Sequence, residues 1–200
     1  MKTRFSSLVL ALLLLFILPL PASATLVVPL ELDELARSSS IIAYGEVLEI
    51  NSRWTDDRHQ IITEVSFQVI DAVQGCEAGE SLSFYTLGGS VGKLGQVVSG
   101  EASFVKGEKA VVFLEQRGDK LGVVGLGQGQ WTVDHDAQCN CELARPRLEG
   151  LGFVAIQAVE EPSPTVRQRA MVTELGVDAK LAPMPLDALL KHLAELLAEP

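Results

Sequence analysis

Between residues 41 and 133 the chain alternates apolar and polar positions with a period of two, and on both sides of that stretch the spacing becomes helical. The clearest run is IITEVSFQVIDAVQG, residues 61–75. Ile61, Thr63, Val65, Phe67, Val69 and Val73 fall on one face, and Glu64, Ser66 and Gln68 on the other. Such alternation predicts a half-buried antiparallel strand. The run before it, IIAYGEVLEINSRW (41–54), is separated from it by the polar TDDRHQ, so a β-hairpin is the natural connection. ESLSFYTL then sets Leu82 and Phe84 against Ser81 and Ser83. EKAVVFLEQ reads as a strand, RGD begins a turn into KLGVVGLG, and QGQWTV closes the series. Several short antiparallel strands in succession predict a small closed barrel, since closure removes exposed edges. Gly45, Gly125, Gly127 and Gly129 interrupt strand-like runs and are expected at bulges or barrel corners.

The helical spacings flank this region. PLELDELARSS, from Pro29 to Ser39, reads as a short helix with Pro29 in its first turn and Leu32, Leu35 and Ala36 on one face. At the other end, Leu186, Leu189, Leu190, Leu193, Leu196 and Leu197 form one apolar stripe of an amphipathic helix. Asp187 precedes Lys191 by four, the favourable order for a helix ion pair. That helix is expected to pack on the barrel, the alternative being a docking helix for a partner. Between barrel and helix, VEEPSPTVRQRAMVTELGVDAKLAPMP is polar and proline-marked, and reads as a connector. The expected organisation is therefore a leader over 1–24, a β-barrel domain over 25–155, a polar connector over 156–184 and a helix over 185–199.

The leader follows from MKTRFSSLVLALLLLFILPLPASA. Lys2 and Arg4 precede an apolar run from Leu8 to Leu20, and Ala22-Ser23-Ala24 supplies small residues for cleavage. The pattern is that of a secretory signal peptide, with a run too short for a comfortable membrane span. The expected location is secreted or periplasmic, with a mature chain starting near Thr25. Cleavage changes the charge. Without Lys2 and Arg4, 14 basic residues face 26 acidic ones, a net charge of −12. Nucleic acid is a poor partner for such a surface.

Little in the chain is overtly catalytic. TLGGSVGKLGQVVSG (86–100) has glycines beside Lys93, but Gly88 is four residues before Gly92 rather than five, and Leu94 stands where a phosphate loop needs a hydroxyl. GLGQG (125–129) lacks the strand-then-helix context of a dinucleotide fingerprint. DHDAQCNCE (134–142) gathers His135, Cys139 and Cys141, a weak metal set: C-x-C with one histidine does not match zinc-site spacing. The remaining cysteine is Cys76. In an oxidising compartment one disulfide is expected, between Cys76 and either Cys139 or Cys141, with one thiol left over. No cofactor and no catalytic residue is assigned.

The order LDELARSSSIIAYGEVLEINSRW, ITEVSFQVIDAVQG, GGSVGKLGQVVSGEASFVKGEKAVVFLE and VVGLGQGQWTV resembles a group of exported bacterial proteins of unassigned activity. In this chain Ser40 stands where that group has an acid, and Gln74 where it has a lysine. More distantly, the first half is similar to the netrin-like domain of the tissue inhibitors of metalloproteinases. The resemblance implies a mainly β fold: a five- to six-stranded antiparallel OB-like barrel with a short N-terminal helix and a C-terminal amphipathic helix. It also implies an inhibitor-like role for the mature N-terminus, Thr25 and Leu26 in particular. The inhibitors begin with a disulfide-locked cysteine, whereas this chain begins TLVVP. The functional expectation is a secreted, non-enzymatic module that binds a protein partner. Its candidate surface joins the hairpin tip, Trp54 to His59, with the loop carrying Gly88, Gly89, Gly92 and Lys93. The alternatives are a metalloprotease inhibitor or protease-associated factor acting through the N-terminus, and a metal-dependent hydrolase.

Overall fold

A computed structural model describes residues 25–138, 140–158, 170–175 and 181–198. The expected leader, residues 1–24, and Cys139 lie outside them. The fold is mainly β, with one large mixed sheet, two smaller sheets and two helices. The strands are β1 (Thr25–Val27), β2 (Ile41–Trp54), β3 (Ile61–Gln74), β4 (Ser81–Leu87), β5 (Gly89–Val91), β6 (Leu94–Gln96) and β7 (Lys109–Arg117). They continue with β8 (Lys120–Val123), β9 (Gln130–Asp136), β10 (Cys141–Pro146), β11 (Leu151–Ala158), β12 (Ala170–Leu175) and β13 (Met184–Pro185).

The large sheet runs β13-β10-β9-β7-β2-β3-β4-β8, and β8 pairs with β7 as well. Most neighbours are antiparallel, as the alternating runs predicted. The exception is β4 with β8, which meet in parallel at Tyr85 and Gly122, so the sheet is mixed rather than purely antiparallel. The second sheet is β1-β11-β12, and β5-β6 is a separate hairpin. Residues 156–184 therefore hold more than a connector: β12 lies inside that span and pairs with β11. Its surroundings are too polar and proline-rich to reveal a strand by pattern.

Two apolar cores share the central strands. Ala43, Val47, Val65, Phe67, Val69, Leu82, Phe84, Ala110, Val112 and Leu114 form one. Ile42, Tyr44, Val111, Phe113, Trp131 and Val133 form the other, together with helix residues Leu35, Ala36, Leu189 and Leu193. Alternate side chains of β2 and β7 thus enter opposite cores. This explains AVVFL: a strand buried on both faces reads as an unbroken apolar run. In β3, register shifts opposite Ile42/Ala43 and Tyr44/Gly45 reset the alternation. As a result Val73 packs with the helix-side core and Ala72 with the other, so Val73 does not share a face with Val65 and Phe67. Gly45 sits at one of these shifts, where a Cβ would run into the Gln68 carbonyl and the Phe67 ring. No larger residue fits without moving β3.

The first helix is Leu32–Arg37, shorter than Pro29–Ser39. Its N-cap is Glu31, whose N–H donates to Glu34 Oε2 at 2.9 Å, and Asp33 and Glu34 suit the positive end of the helix dipole. Pro29 lies before the helix. The C-terminal helix, Leu186–Ala198, buries Leu186, Leu189 and Leu193 in the helix-side core, so it packs on the sheet as expected. Lys191 pairs with Glu195 at 3.8 Å, and His192 reaches Asp33 of the first helix at 3.6 Å. These exposed pairs contribute little beside the leucines.

Leu193 is fully buried and Leu→Ala at such a site costs about 2–5 kcal/mol. Leu193→Ala is therefore expected to lower the melting temperature by roughly 5–15 °C. The check is thermal unfolding followed by circular dichroism, with exposed Glu195→Ala as the control that changes it little.

Candidate functional site

The two stretches singled out as a candidate surface lie side by side. At the β2–β3 tip, Thr55 N donates to Gln60 O and Arg58 N to Thr55 O, both at 2.8 Å. Arg58 takes the left-handed conformation, φ 57°. The Thr55 hydroxyl donates to Asp57 Oδ1, which also accepts from His59 N at 3.2 Å. These two bonds, the hydroxyl first, hold the exposed Asp57 carboxyl below the usual range. His59 itself is exposed, its Nδ1 2.8 Å from Asp57 O. Trp54 is half-buried opposite Ile61. With Thr55, Asp56 and Arg58 it lines an open depression of about 770 Å³.

The glycine loop is fastened to this hairpin through Ile61 and Thr63. Gly88 N donates to Ile61 O, Ile61 N donates to Gln96 Oε1, and Thr63 Oγ1 donates to Gly88 O, each at 2.7 Å. Ser52 Oγ and Thr63 Oγ1 are 2.8 Å apart, and Gly89 lies against both. A Cβ on Gly89 would collide with the two hydroxyls, and its φ of 125° already excludes most side chains. Beyond it, β5 and β6 are joined by Gly92-Lys93, with Gly92 at φ 63°. Glycine at the first of two turn residues is what a II′ hairpin requires. Lys93 is exposed at that turn. Around Gln96 the loop shows unusual apolar exposure: Leu94 is 61% and Val97 95% exposed, and Leu87, just before Gly88, is 38% exposed.

The N-terminal residues are held elsewhere along the same loop. Thr25 and Leu26 pair in parallel with Leu151 and Gly152 of β11. Leu151 packs against Gly100, and Ser99 Oγ donates to Gly150 O at 2.9 Å. Further on, buried Gln128 accepts from Leu30 N at 2.9 Å and donates to Val28 O at 3.3 Å. Gln130, also buried, exchanges bonds with Ser103 N (2.9 Å) and Ser103 O (2.8 Å) and donates to Glu108 Oε1 at 3.1 Å. These two glutamines anchor the N-terminal segment and the chain after Gly100. They were missed in the sequence because QGQ sits among glycines. The available signal was a pair of large amides beside Trp131 in an otherwise apolar run, since buried amides are nearly always bonded.

The segment from Asp134 to Glu142 is engaged rather than open. β9 and β10 set His135 opposite Glu142 and Asp136 opposite Cys141. Asp136 pairs with Arg145 at 2.7 Å, and Glu142 lies 3.4 Å from both Lys109 Nζ and the Tyr44 hydroxyl. Cys141 is disulfide-bonded, so its sulfur offers no thiolate. Among the described residues no group of three or more His, Cys, Asp or Glu could hold a metal ion. Cys76 carries a free thiol, so the expected bridge from Cys76 to Cys139 or Cys141 is not formed. Burial against the sheet and the nearby Glu80 push that thiol's pKa up, which makes it a weak nucleophile.

One acid near the loop is strained electrostatically. The backbone N–H groups of Leu87 and Ala102 lie near the Glu101 carboxyl, yet its Oε2 is buried with no hydrogen-bond partner among the described residues. Burial raises its pKa, with Arg117 and the two N–H groups opposing. The folded protein thus holds this proton more tightly than the unfolded chain. Its contribution to stability falls as pH rises from the ordinary glutamate range towards the raised value, then levels off. Glu101→Gln is expected to remove that decline, leaving the variant more stable than the parent at neutral pH and about equal near pH 4. Urea unfolding at several pH values checks this, and parallel curves for the two proteins would refute it.

No protein-family model, curated protein or solved structure matches this chain.

Proposed function

We propose that this protein is an exported, non-enzymatic module whose β2–β3–β4–β8–β7 strands form an OB-like barrel and whose loop end binds a protein partner. The barrel reading is supported by the pairing cycle: β4 meets β8, β8 meets β7, and β7 returns to β2. The export reading rests on the leader pattern of residues 1–24. Among the described residues no helix is long and apolar enough to cross a membrane.

The observation that carries the binding reading is the exposure of Leu94 and Val97 on a loop fixed by backbone and glutamine bonds. Apolar side chains on a fixed loop lose little entropy when a partner covers them, which is what favours tight association. Trp54, beside them, is the residue type that most often anchors such contacts. The acidic balance of the chain favours a partner with a cationic rim.

A second reading, engagement of a secreted metalloprotease by the mature N-terminus, is favoured by one observation. The Gln128 clamp on Val28 and Leu30 and the β1–β11 pairing preorganise the segment without a cysteine lock. Leu26 and Val28 remain 53% and 48% exposed on it.

Two measurements separate these readings. Leu94→Asp with Val97→Asp is expected to weaken partner binding by roughly tenfold or more, read by calorimetry or surface plasmon resonance. Melting should barely change, because both sites are exposed. Unchanged affinity would refute the loop surface. Adding one residue before Thr25 is expected to leave binding intact on the first reading and to abolish protease inhibition on the second.

A further inference from the structure

The large sheet leaves one edge open. β7 pairs with β2 only from Ile41 to Glu46, and two further bonds, Val47 N to Glu108 O and Gly107 N to Val47 O, end the contact. From there to Trp54 β2 is paired with β3 alone. The direction of its backbone groups follows from β3. Ile61 N and O bond Gln96 and Gly88, and Val69 N and O bond Glu80 and Gly79, all on the side away from β2. Odd-numbered residues of β3 from 61 to 69 therefore face β4, and Ile62, Glu64 and Ser66 face β2. Their partners Arg53, Asn51 and Glu49 face inward, so Ile50, Ser52 and Trp54 direct their N–H and C=O groups outward. No strand among the described residues takes up these six groups. Exposed Leu48 and Ile50 flank them, at 43% and 40%.

Going beyond the loop surface proposed above, we propose that this edge pairs with the same edge of a second copy, antiparallel, about a two-fold axis at Asn51. The sequence of the edge is self-complementary in one register. With Asn51 opposite Asn51, Ile50 faces Ser52, and both direct their backbone groups across, so the hydrogen-bonded pairs fall where outward groups exist. The same register sets Glu49 opposite Arg53 twice, on the outer face. Centring the axis on Ile50 or Ser52 loses both ion pairs. In the single chain Arg53 is exposed and only leans over the Tyr85 ring, 5.8 Å from its centre, so its side chain is available to Glu49 of the second copy. The diagonal approach of Ile50 to its counterpart covers the exposed apolar side chain.

The test is the mass of the mature chain in solution by light scattering during size-exclusion chromatography. The wild type is expected to be a dimer. Arg53→Glu and Glu49→Arg each place like charges opposite one another twice, and each is expected to weaken the dimer roughly tenfold or more. The double variant Glu49→Arg, Arg53→Glu restores the opposite pairs and is expected to restore the dimer. Ser52→Pro removes an outward N–H, a change an edge strand tolerates, and is expected to give a folded monomer by circular dichroism. A monomeric wild type overturns the proposal, and so does a double variant that stays monomeric. Leu94→Asp with Val97→Asp leaves this edge untouched, so a failure of the loop surface and a failure of the dimer are read separately.

Discussion

The structure depends on β2 and β7 being buried on both faces. Each sends alternate side chains into two cores, so the pairing of Ala43 with Val112 and of Tyr44 with Val111 serves both cores at once. A one-residue slip between these strands would exchange the two sets, moving Tyr44 and Phe113 into a space built for Ala43 and Val112. Register is therefore fixed far more tightly here than in a sheet with one wet face. The bulges in β2–β3 follow from the same demand: they let β3 change which core it serves along its length. Gly45 is where the backbones come close enough for that change to occur.

The central hairpin and the strands around it were legible because their inner and outer faces differ in polarity. Ile61–Gln74 and Ile41–Trp54 could be delimited from alternation and from the polar TDDRHQ between them. The C-terminal helix was legible for a similar reason: its leucines fall on one stripe, and three of them are buried. What escaped was structure that polarity does not mark. β5 and β6 are three-residue strands in a glycine loop, and β12 lies in a polar stretch. The parallel contact of β4 with β8 depends on chain path, which no local pattern encodes. Val73 was assigned to the wrong face because a bulge is invisible to a period-two count.

For the candidate surface, the sequence singled out two stretches that do lie together, and it pointed to the wrong glue. Trp54, Gly88 and Gly89 do converge, brought together by Ile61, Thr63 and Ser52. The cysteines suggested a bridge from Cys76 across the fold, but the long-range fastening is done by side-chain amides. Gln96, Gln128 and Gln130 each satisfy a backbone group of a distant segment, and two of them are buried. A glutamine has a donor and an acceptor on one planar group, so it can replace a missing strand neighbour. Which backbone group each amide satisfies depends on three-dimensional proximity, so the amides beside Trp131 could signal a bond in the sequence but not its partner.

The placement of Leu189 and Leu193 has a consequence for how the chain reaches its fold. They complete the core that Ile42, Phe113 and Trp131 begin, yet they are synthesised more than fifty residues after Trp131. Until those residues emerge, one face of β2, β7 and β9 is covered only in part, by Leu35 and Ala36 of the first helix, and burial on that side is incomplete. Final folding is thus delayed by the order of the elements until the Leu186–Ala198 helix has been made. A chain that stays open until that helix is made remains threadable through a narrow channel up to that point.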